Sequence, residues 1–259
     1  MLRAVPSLDL AHAAAVAQRA ADLARRETLA RFRDVAVETK ADGSPVTEAD
    51  RAAERVVRDT LGAAFPDHAV LGEEYGGERE SARPLWVIDP IDGTIAYSRG
   101  LPLYSTLIAL VVEGEPVLGL IDLPALDERY VGWKGHGCRR NGEPVRVSTR
   151  SDLAGAIVSH GDPFCFAATG AMPAFERLAA SVRMLRGYTD AFGHAMVLGG
   201  GVDAMVDFDL NPWDAAATQL LVPEAGGVCH TRTLPNGKLG LVFGSAAVCD
   251  ALLALIDGA

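Results

Sequence analysis

Cysteine is scarce in this chain: the 259 residues include four, Cys138, Cys165, Cys229 and Cys249, and no two form a CxxC pair. That excludes a zinc ribbon or a thioredoxin-like motif and suits reduced thiols in a cytosol. Long apolar runs are missing too. The N-terminal LDLAHAAAVAQRAADLARRE is broken by Asp9, His12, Gln18 and Arg19, so it lacks the unbroken apolar centre of a signal peptide. No later segment reaches membrane-spanning length, and a cytoplasmic location is the expectation. Basic residues are outnumbered, 24 Lys and Arg against 34 Asp and Glu, for a formal charge of −10. A surplus of that sign argues against nucleic acid or an anionic membrane as the main partner. Neither a GxSxG elbow nor a P-loop occurs, so serine-hydrolase and nucleotide-cradling readings lack support. His160, His194 and His230 supply no HxxxH-type pair for zinc.

What is present reads as globular: 49% of the residues are hydrophobic, and the length suits one large domain or two tightly joined halves. Ala13, Val16, Ala17, Ala20 and Ala24 recur at helical spacing, which predicts an amphipathic helix after Ser7. KADGSPVTEAD reads as a turn-rich loop entering a second helix, with Thr47 and Asp50 at its start, Ala53, Val56, Val57 and Leu61 on its buried face, and Gly62 ending it. AVLGEE and PLWVID read as strands, followed by a short helix or turn through Gly100. TLIALVV and VLGLIDL form a hairpin about EGEP, and RYVGW with the Asn141-Gly142 turn completes a mainly antiparallel first half. From Ser151 the strands AIVSH, MLRGY, DAMVDF, GGVCH and LVFGS alternate with helical segments at 171–182, 190–200, 212–225 and 246–256, an α/β pattern. The expected division is therefore 1–149, α+β, and 150–259, α/β, with a shared interface and no internal repeat.

The stretch WVIDPIDGT, Trp86 to Thr94, carries the first chemical signal. Pro90 restricts the backbone between Asp89 and Asp92, and Gly93 permits a sharp turn behind them. Two carboxylates held that close share a proton or bind a divalent cation, for which the Ile91 carbonyl offers a further oxygen. The plainer alternative is a turn in which Asp89 caps the next segment. Other acids stand at similar places: Glu73 and Glu74 after Gly72, Asp50 at a helix start, and Asp214 in the first turn after Pro212. Each could simply offset a helix dipole, but that does not explain why acids recur at the ends of apolar strands, where ligands bind in such sheets.

LGEE, WVIDPIDGT and NPWDAAA, with SPVTEAD upstream and PEAGG downstream, resemble the inositol monophosphatase-like phosphatases over most of the chain, in that family's order and spacing. The resemblance implies a layered αβαβα sandwich and Mg2+-dependent hydrolysis of small phosphate monoesters, with two or three ions. It assigns Glu73, Asp89 and the Ile91 carbonyl to a first metal, Asp89, Asp92 and Asp214 to a second, and Glu73 in part to a third. Asp50 and Thr94 match the pair that activates the attacking water. Gly93 and Thr94 would offer N–H groups, and Thr94 its hydroxyl, to the phosphate at a helix start. Family members are often homodimers.

Within the family, GLPLYSTLIAL and PVLGLID followed by ER resemble the histidinol-phosphatase branch. That branch acts late in histidine synthesis, releasing histidinol and phosphate. Asp190 matches an aspartate of that branch, where animal inositol monophosphatases have a small apolar residue; a helix N-cap is its plainer role. Asp207 matches an acidic substrate-binding position found in both branches, against the alternative of a surface acid. Two carboxylates suit a leaving group bearing an ammonium and an imidazole, although they could also accept from sugar hydroxyls. Ile95 and Ala96 depart from the Thr-Asn common in inositol-type members. Inositol-1-monophosphatase or a broader sugar-phosphate phosphatase is the alternative, and a non-catalytic metal- or ligand-binding relative is the rival of another class. Lys40 matches a basic position near the phosphate pocket, with a solvated loop lysine as the expectation; Gly199-Gly200-Gly201 reads as a helix end.

Overall fold

A computed structural model of the chain describes residues 8–41, 43–78 and 81–258. Asp9, whose side chain accepts from the His12 N–H at 2.9 Å, caps α1 (Leu10–Arg31). Ser7, where the sequence places the start of this helix, lies outside the described residues. A short hairpin follows, β1 (Val37–Thr39) just before the expected loop and β2 (Pro45–Thr47) within it, and leads into α2 (Glu48–Ala64). Then come β3 (Ala69–Gly72), β4 (Gly76–Gly77), β5 (Leu85–Asp92), α3 (Thr94–Ser98), β6 (Ser105–Val112), β7 (Glu115–Leu123), β8 (Glu128–Trp133), β9 (Cys138–Arg140) and β10 (Glu143–Pro144). The remainder comprises β11 (Ile157–His160), α4 (Pro163–Ala168), α5 (Met172–Ser181), β12 (Met184–Arg186), α6 (Asp190–Leu198), β13 (Ala204–Leu210), α7 (Pro212–Glu224), β14 (Val228–Thr233), β15 (Leu239–Gly244) and α8 (Ala246–Asp257).

Two sheets organise these elements. The larger runs β10-β9-β8-β7-β6-β5-β3-β4, antiparallel except where β3 lies parallel to β5. The smaller runs β12-β11-β13-β15-β14, with β11 parallel to both neighbours. Side-chain alternation sorts the apolar residues of β5 to opposite faces. Trp86 and Ile88 pack under α1 and α2, while Leu85 and Val87 face the middle of the molecule. A strand covered on both sides reads as an unbroken apolar run, which is why LWVI lacks polar interruptions.

The middle layer is α6 and α7, packed between the inner faces of the two sheets, with Met205, Leu241 and Phe243 contributed by the smaller one. The outer face of the smaller sheet is covered by α4, α5 and α8 through Phe166, Leu178, Val248, Leu252 and Ile256. The order is therefore helix, sheet, helix, sheet, helix: the layered αβαβα architecture. Small side chains let α7 fit. Ala215, Ala216 and Ala217 are buried, and a Cβ at Gly119 of β7 would lie 2.7 Å from the Ala217 carbonyl oxygen. None of the described helices is long and apolar enough to cross a membrane.

One expected boundary is wrong. Gly62 does not end α2; the helix runs to Ala64, and the Phe65 N–H closes on the Leu61 carbonyl at 2.8 Å. Buried Val57 and Leu61 hold this turn against the core, and that packing outweighs glycine's cost of about 1 kcal/mol relative to alanine. Gly62 faces solvent with nothing within 4 Å of an added Cβ. Gly62→Ala should therefore stabilise the protein by about 0.5–1 kcal/mol, read as a higher urea midpoint at unchanged slope.

Candidate active site

The site forms where β5 breaks its regular pairing with β6. Asp89 faces Leu107 and Asp92 faces Ser105, so two residues of β5 oppose one of β6. In a regular strand, residues three apart point to opposite faces; the extra residue of this bulge restores parity and brings Asp92 to the side of Asp89. The Thr106 hydroxyl holds the bulge by donating to the Pro90 carbonyl at 2.8 Å. Gly93 follows at φ 83° and starts α3.

Helix starts bring the other acids. Asp50 is the third residue of α2, and its Oδ2 accepts from the Thr47 N–H at 2.8 Å and the Thr47 hydroxyl at 2.6 Å. Asp214 holds the same position in α7, with Oδ2 accepting from the Asn211 N–H at 2.7 Å. Asp92 Oδ2 accepts from the Ala191 N–H in the first turn of α6 at 2.6 Å and from the Ser105 hydroxyl at 3.2 Å. A capping box fixes one carboxylate oxygen and leaves the other to face outward, so Asp50 and Asp214 serve both helix and cavity.

One oxygen each of Asp89, Asp92 and Asp214 lies within 4.8 Å of the others. Asp89 is buried, and its Oδ1 has no hydrogen-bond partner among the described residues. An orphaned carboxylate oxygen beside two further carboxylates fits a hard divalent cation. Glu73 lines the same cavity, but its carboxylate pairs with Lys40 Nζ at 2.8 Å, and Glu74 pairs with the same ammonium at 2.7 Å. Lys40 is thus an ion-paired residue and not the solvated loop lysine expected from the sequence. The Thr94 hydroxyl lies 3.2 Å from Asp50 Oδ1 and 3.0 Å from the Ile91 carbonyl oxygen. The predicted water-activating pair, Asp50 and Thr94, is therefore in contact.

Asp190 begins α6 at φ 58°, and Thr189 occupies the cap position, so Asp190 is not the N-cap. A Cβ on Gly93 would lie 3.2 Å from Asp190 Oδ2, which places this acid against the turn that follows Asp92. Asp207 is buried on β13, not a surface acid, and its Oδ2 lies 3.0 Å from His194 Nε2. Both line the cavity, of about 210 Å³, together with Asp162 and Asp209. The triple glycine is a helix end, with Gly199 capping α6.

The charges strain against one another. Burial, then Glu73, Asp92 and Asp214, pushes Asp89 well above the usual carboxylate range; burial, then Asp190 and Asp214, does the same to Asp92. Burial is the leading cause of the rise in Asp214 to about 7 and in Asp190 to about 6, with Glu73 and Asp207 respectively adding to it. Asp50 is raised by burial against the opposing hydrogen bonds of Thr47 and Thr94. Without a cation the cluster must hold protons.

Several participants escaped the sequence reading. Glu54, fully buried on α2, accepts from the Glu74 N–H at 2.7 Å, the Tyr75 N–H at 3.2 Å and Arg58 Nε at 2.6 Å, and so fixes the turn that presents Glu73. Its i, i+4 spacing from Asp50 was the available signal. Asp162, Asp209 and the His194–Thr218 contact depend on long-range packing and left no local sign.

The profile of the inositol monophosphatase family matches residues 7–250. A histidinol-phosphatase of Chlorobaculum parvum is 37% identical over 228 residues, 86% of this chain and 88% of its own. A fructose-1,6-bisphosphatase/inositol-1-monophosphatase of Thermotoga maritima is 41% identical over 184 residues, 71% of this chain and 70% of its own. Among solved structures, the extragenic suppressor protein suhB of Bartonella henselae superposes with a TM-score of 0.85 at 28% identity, covering 95% of this chain and 98% of the other.

The raised carboxylates have a measurable consequence. A group that binds its proton more tightly when folded stabilises the fold below its unfolded value, 3.8 for Asp214, and loses that contribution as pH rises through the folded value of about 7. The melting temperature in chelator should fall from about pH 4 to about pH 7, and a divalent cation such as Mg2+ in excess should restore it most at the upper end. Asp89→Asn should flatten the fall and abolish the Mg2+ response. Differential scanning fluorimetry of both proteins, with and without Mg2+, measures all three effects.

Proposed function

The chain belongs to the inositol monophosphatase family, and on that premise we propose that it is a Mg2+-dependent phosphatase that converts L-histidinol phosphate to L-histidinol and phosphate. Phosphatases of this family act on small phosphate esters. The observation that carries the finer reading is the character of the cavity wall beyond the Asp89 cluster. Asp162, Asp190, Asp207 and Asp209 line it, and no lysine or arginine does among the described residues. A leaving group bearing an ammonium and an imidazole matches such a wall through charge-assisted hydrogen bonds.

Asp89, Asp92 and Asp214, with Glu73 and the Ile91 carbonyl, would hold the ions. Bound there, Mg2+ would concentrate positive charge on the ester's phosphoryl oxygens and acidify the attacking water. The chain's own groups complete the reaction. Thr94 Oγ1 orients the water and passes its hydroxyl proton to Asp50 Oδ1 as it takes one from the water. Asp50 suits that task because burial raises its basicity. The N–H groups of Gly93 and Thr94, at the start of α3, lie outside the helical ladder and face the phosphate. Asp190 and Asp207 hold the leaving group. Lys40 pairs with Glu73 through Oε1, which leaves Oε2 for a ligand role.

The second reading, an inositol-1-monophosphatase or broader sugar-phosphate phosphatase, is favoured by the Thermotoga relative's name and by the ability of carboxylates to accept from hydroxyls. The free cysteines fit a reducing cytoplasm, and a homodimer is proposed on the family resemblance alone.

A kinetic panel separates the readings: kcat/KM should be higher for L-histidinol phosphate than for inositol 1-phosphate or fructose 1,6-bisphosphate, and equal or better use of inositol 1-phosphate would sink the histidinol assignment. Asp89→Asn should lower kcat by more than about a hundredfold while the far-UV circular dichroism stays native. Asp190→Ala should cost about tenfold in kcat/KM on histidinol phosphate, and less on inositol 1-phosphate.

A further inference from the structure

Asp207 does not hang free at the cavity wall. Its Oδ2 lies 3.0 Å from His194 Nε2, and His194 Nδ1 lies 2.7 Å from the Thr218 hydroxyl. These side chains come from β13, α6 and α7, so the contact chain crosses the middle layer of the fold. His194 is 1% exposed and Thr218 0%, and the edge-on ring of Phe243, with centroids 4.9 Å apart, fixes the plane of the imidazole.

Hydroxyl, imidazole and carboxylate in a row suggest a nucleophile, but Thr218 has no access to the cavity. The row works from the other end. An ionised carboxylate only accepts, so Nε2 carries a proton toward Asp207. Thr218 donates to Nδ1 or accepts from it, and in either case the ring cannot turn its Nε2 away. Asp207 is left with Oδ1, which lies over Gly161: a Cβ at that residue would fall 2.0 Å from it. Among the described residues nothing donates to Oδ1. It is an acceptor with a fixed direction at the wall of the cavity that Asp190 and Asp162 also line.

We propose that His194, locked by Thr218, is a positioning residue that pins Asp207 so that Oδ1 selects esters whose leaving group carries a protonated amine. The inference rests on Asp207 facing the leaving group, as proposed above. A carboxylate pinned through one oxygen pays no ordering cost when the amine arrives and cannot swing to meet a misplaced donor. A hydroxyl would gain a bond charged on the acceptor side alone, whereas an ammonium brings charge on both sides, and the neighbouring carboxylates strengthen that attraction further.

The test compares wild type, His194→Leu, His194→Gln and Thr218→Val on L-histidinol phosphate and on glycerol 2-phosphate, with Mg2+ in excess. In His194→Leu the KM for histidinol phosphate should rise about tenfold, and the ratio of kcat/KM between the two esters should fall by about the same factor. His194→Gln places an N–H where Nε2 stood and should restore most of the selectivity. Thr218→Val, which exchanges a hydroxyl for a methyl group, should fall between, and it carries the test if the leucine variant does not fold. Losses of equal size on both esters, or a glutamine variant no more selective than leucine, would overturn the inference. A wild-type enzyme with no preference for the amine ester would overturn the proposed substrate as well, whereas equal losses in a wild type that does prefer it overturn this inference alone.

Discussion

Mutual repulsion among buried carboxylates is the constraint around which this molecule is arranged. Oxygens of Asp89, Asp92 and Asp214 lie within 4.8 Å of one another, and at that separation each ionised pair repels by roughly 3–4 kcal/mol at an effective dielectric of about 20. Three such pairs would oppose folding by about 10 kcal/mol, as much as a typical domain's whole stability. The fold answers in two ways. The first turns of α2, α6 and α7 each donate backbone N–H groups or caps to one of the acids, so helix dipoles point their positive ends at the cluster. Burial and mutual repulsion raise Asp89, Asp92 and Asp214, so protons, or a divalent cation in their place, would offset the remaining charge.

The backbone explains why the acids can meet at all. Asp89 and Asp92 belong to one strand yet share a side only because the bulge at Pro90 and Ile91 adds a residue. Asp214 reaches them because the alanines of α7 and the glycine of β7 let that helix lie close to the sheet. Asp50 arrives from the outer helix layer, where the start of α2 meets the turn after β5 through Thr94. Three chain segments far apart in sequence therefore converge without a long loop, and each carboxylate is carried by a strand end or a helix start that packing already fixes.

That economy decides what the sequence could reveal. WVIDPIDGT, LGEE and NPWDAAA were legible because strand ends and helix starts leave local signs: an apolar run, a proline, a glycine, an acid at a fixed offset. The periodicities gave a mainly antiparallel half and an α/β half, and only the family resemblance implied five layers. The bulge was only half legible; Pro90 and Gly93 announced a turn but not the parity change that aligns the two aspartates. Lys40 was misjudged because its partners lie 33 and 34 residues away, and a lysine in a Gly-Ser loop reads as solvated until the tertiary structure supplies them. Gly62 failed for the same reason in reverse, with packing at Val57 and Leu61 overriding a local breaker. The contacts of His194 with Thr218 and Asp207 were not legible because those residues stand on other elements.

The acids also divide by what compensates them, and that division bears on specificity. Glu73 and Glu74 share an ammonium, Asp209 is held by Lys238 and Asn236, and the Asp89 cluster is suited to cations from solution. Among the described residues Asp190 and Asp207 pair with no lysine or arginine: Asp190 accepts from the Thr189 hydroxyl, and Asp207 Oδ2 meets the His194 imidazole. On the proposed reading, a phosphate ester would meet the metal-holding acids at its phosphate end and Asp190 and Asp207 at its leaving group. The phosphate end is thus served by a device any phosphate monoester can use. On the proposed histidinol phosphate reading, discrimination would fall to Asp190 and Asp207, which a leaving group bearing its own positive charge would complement.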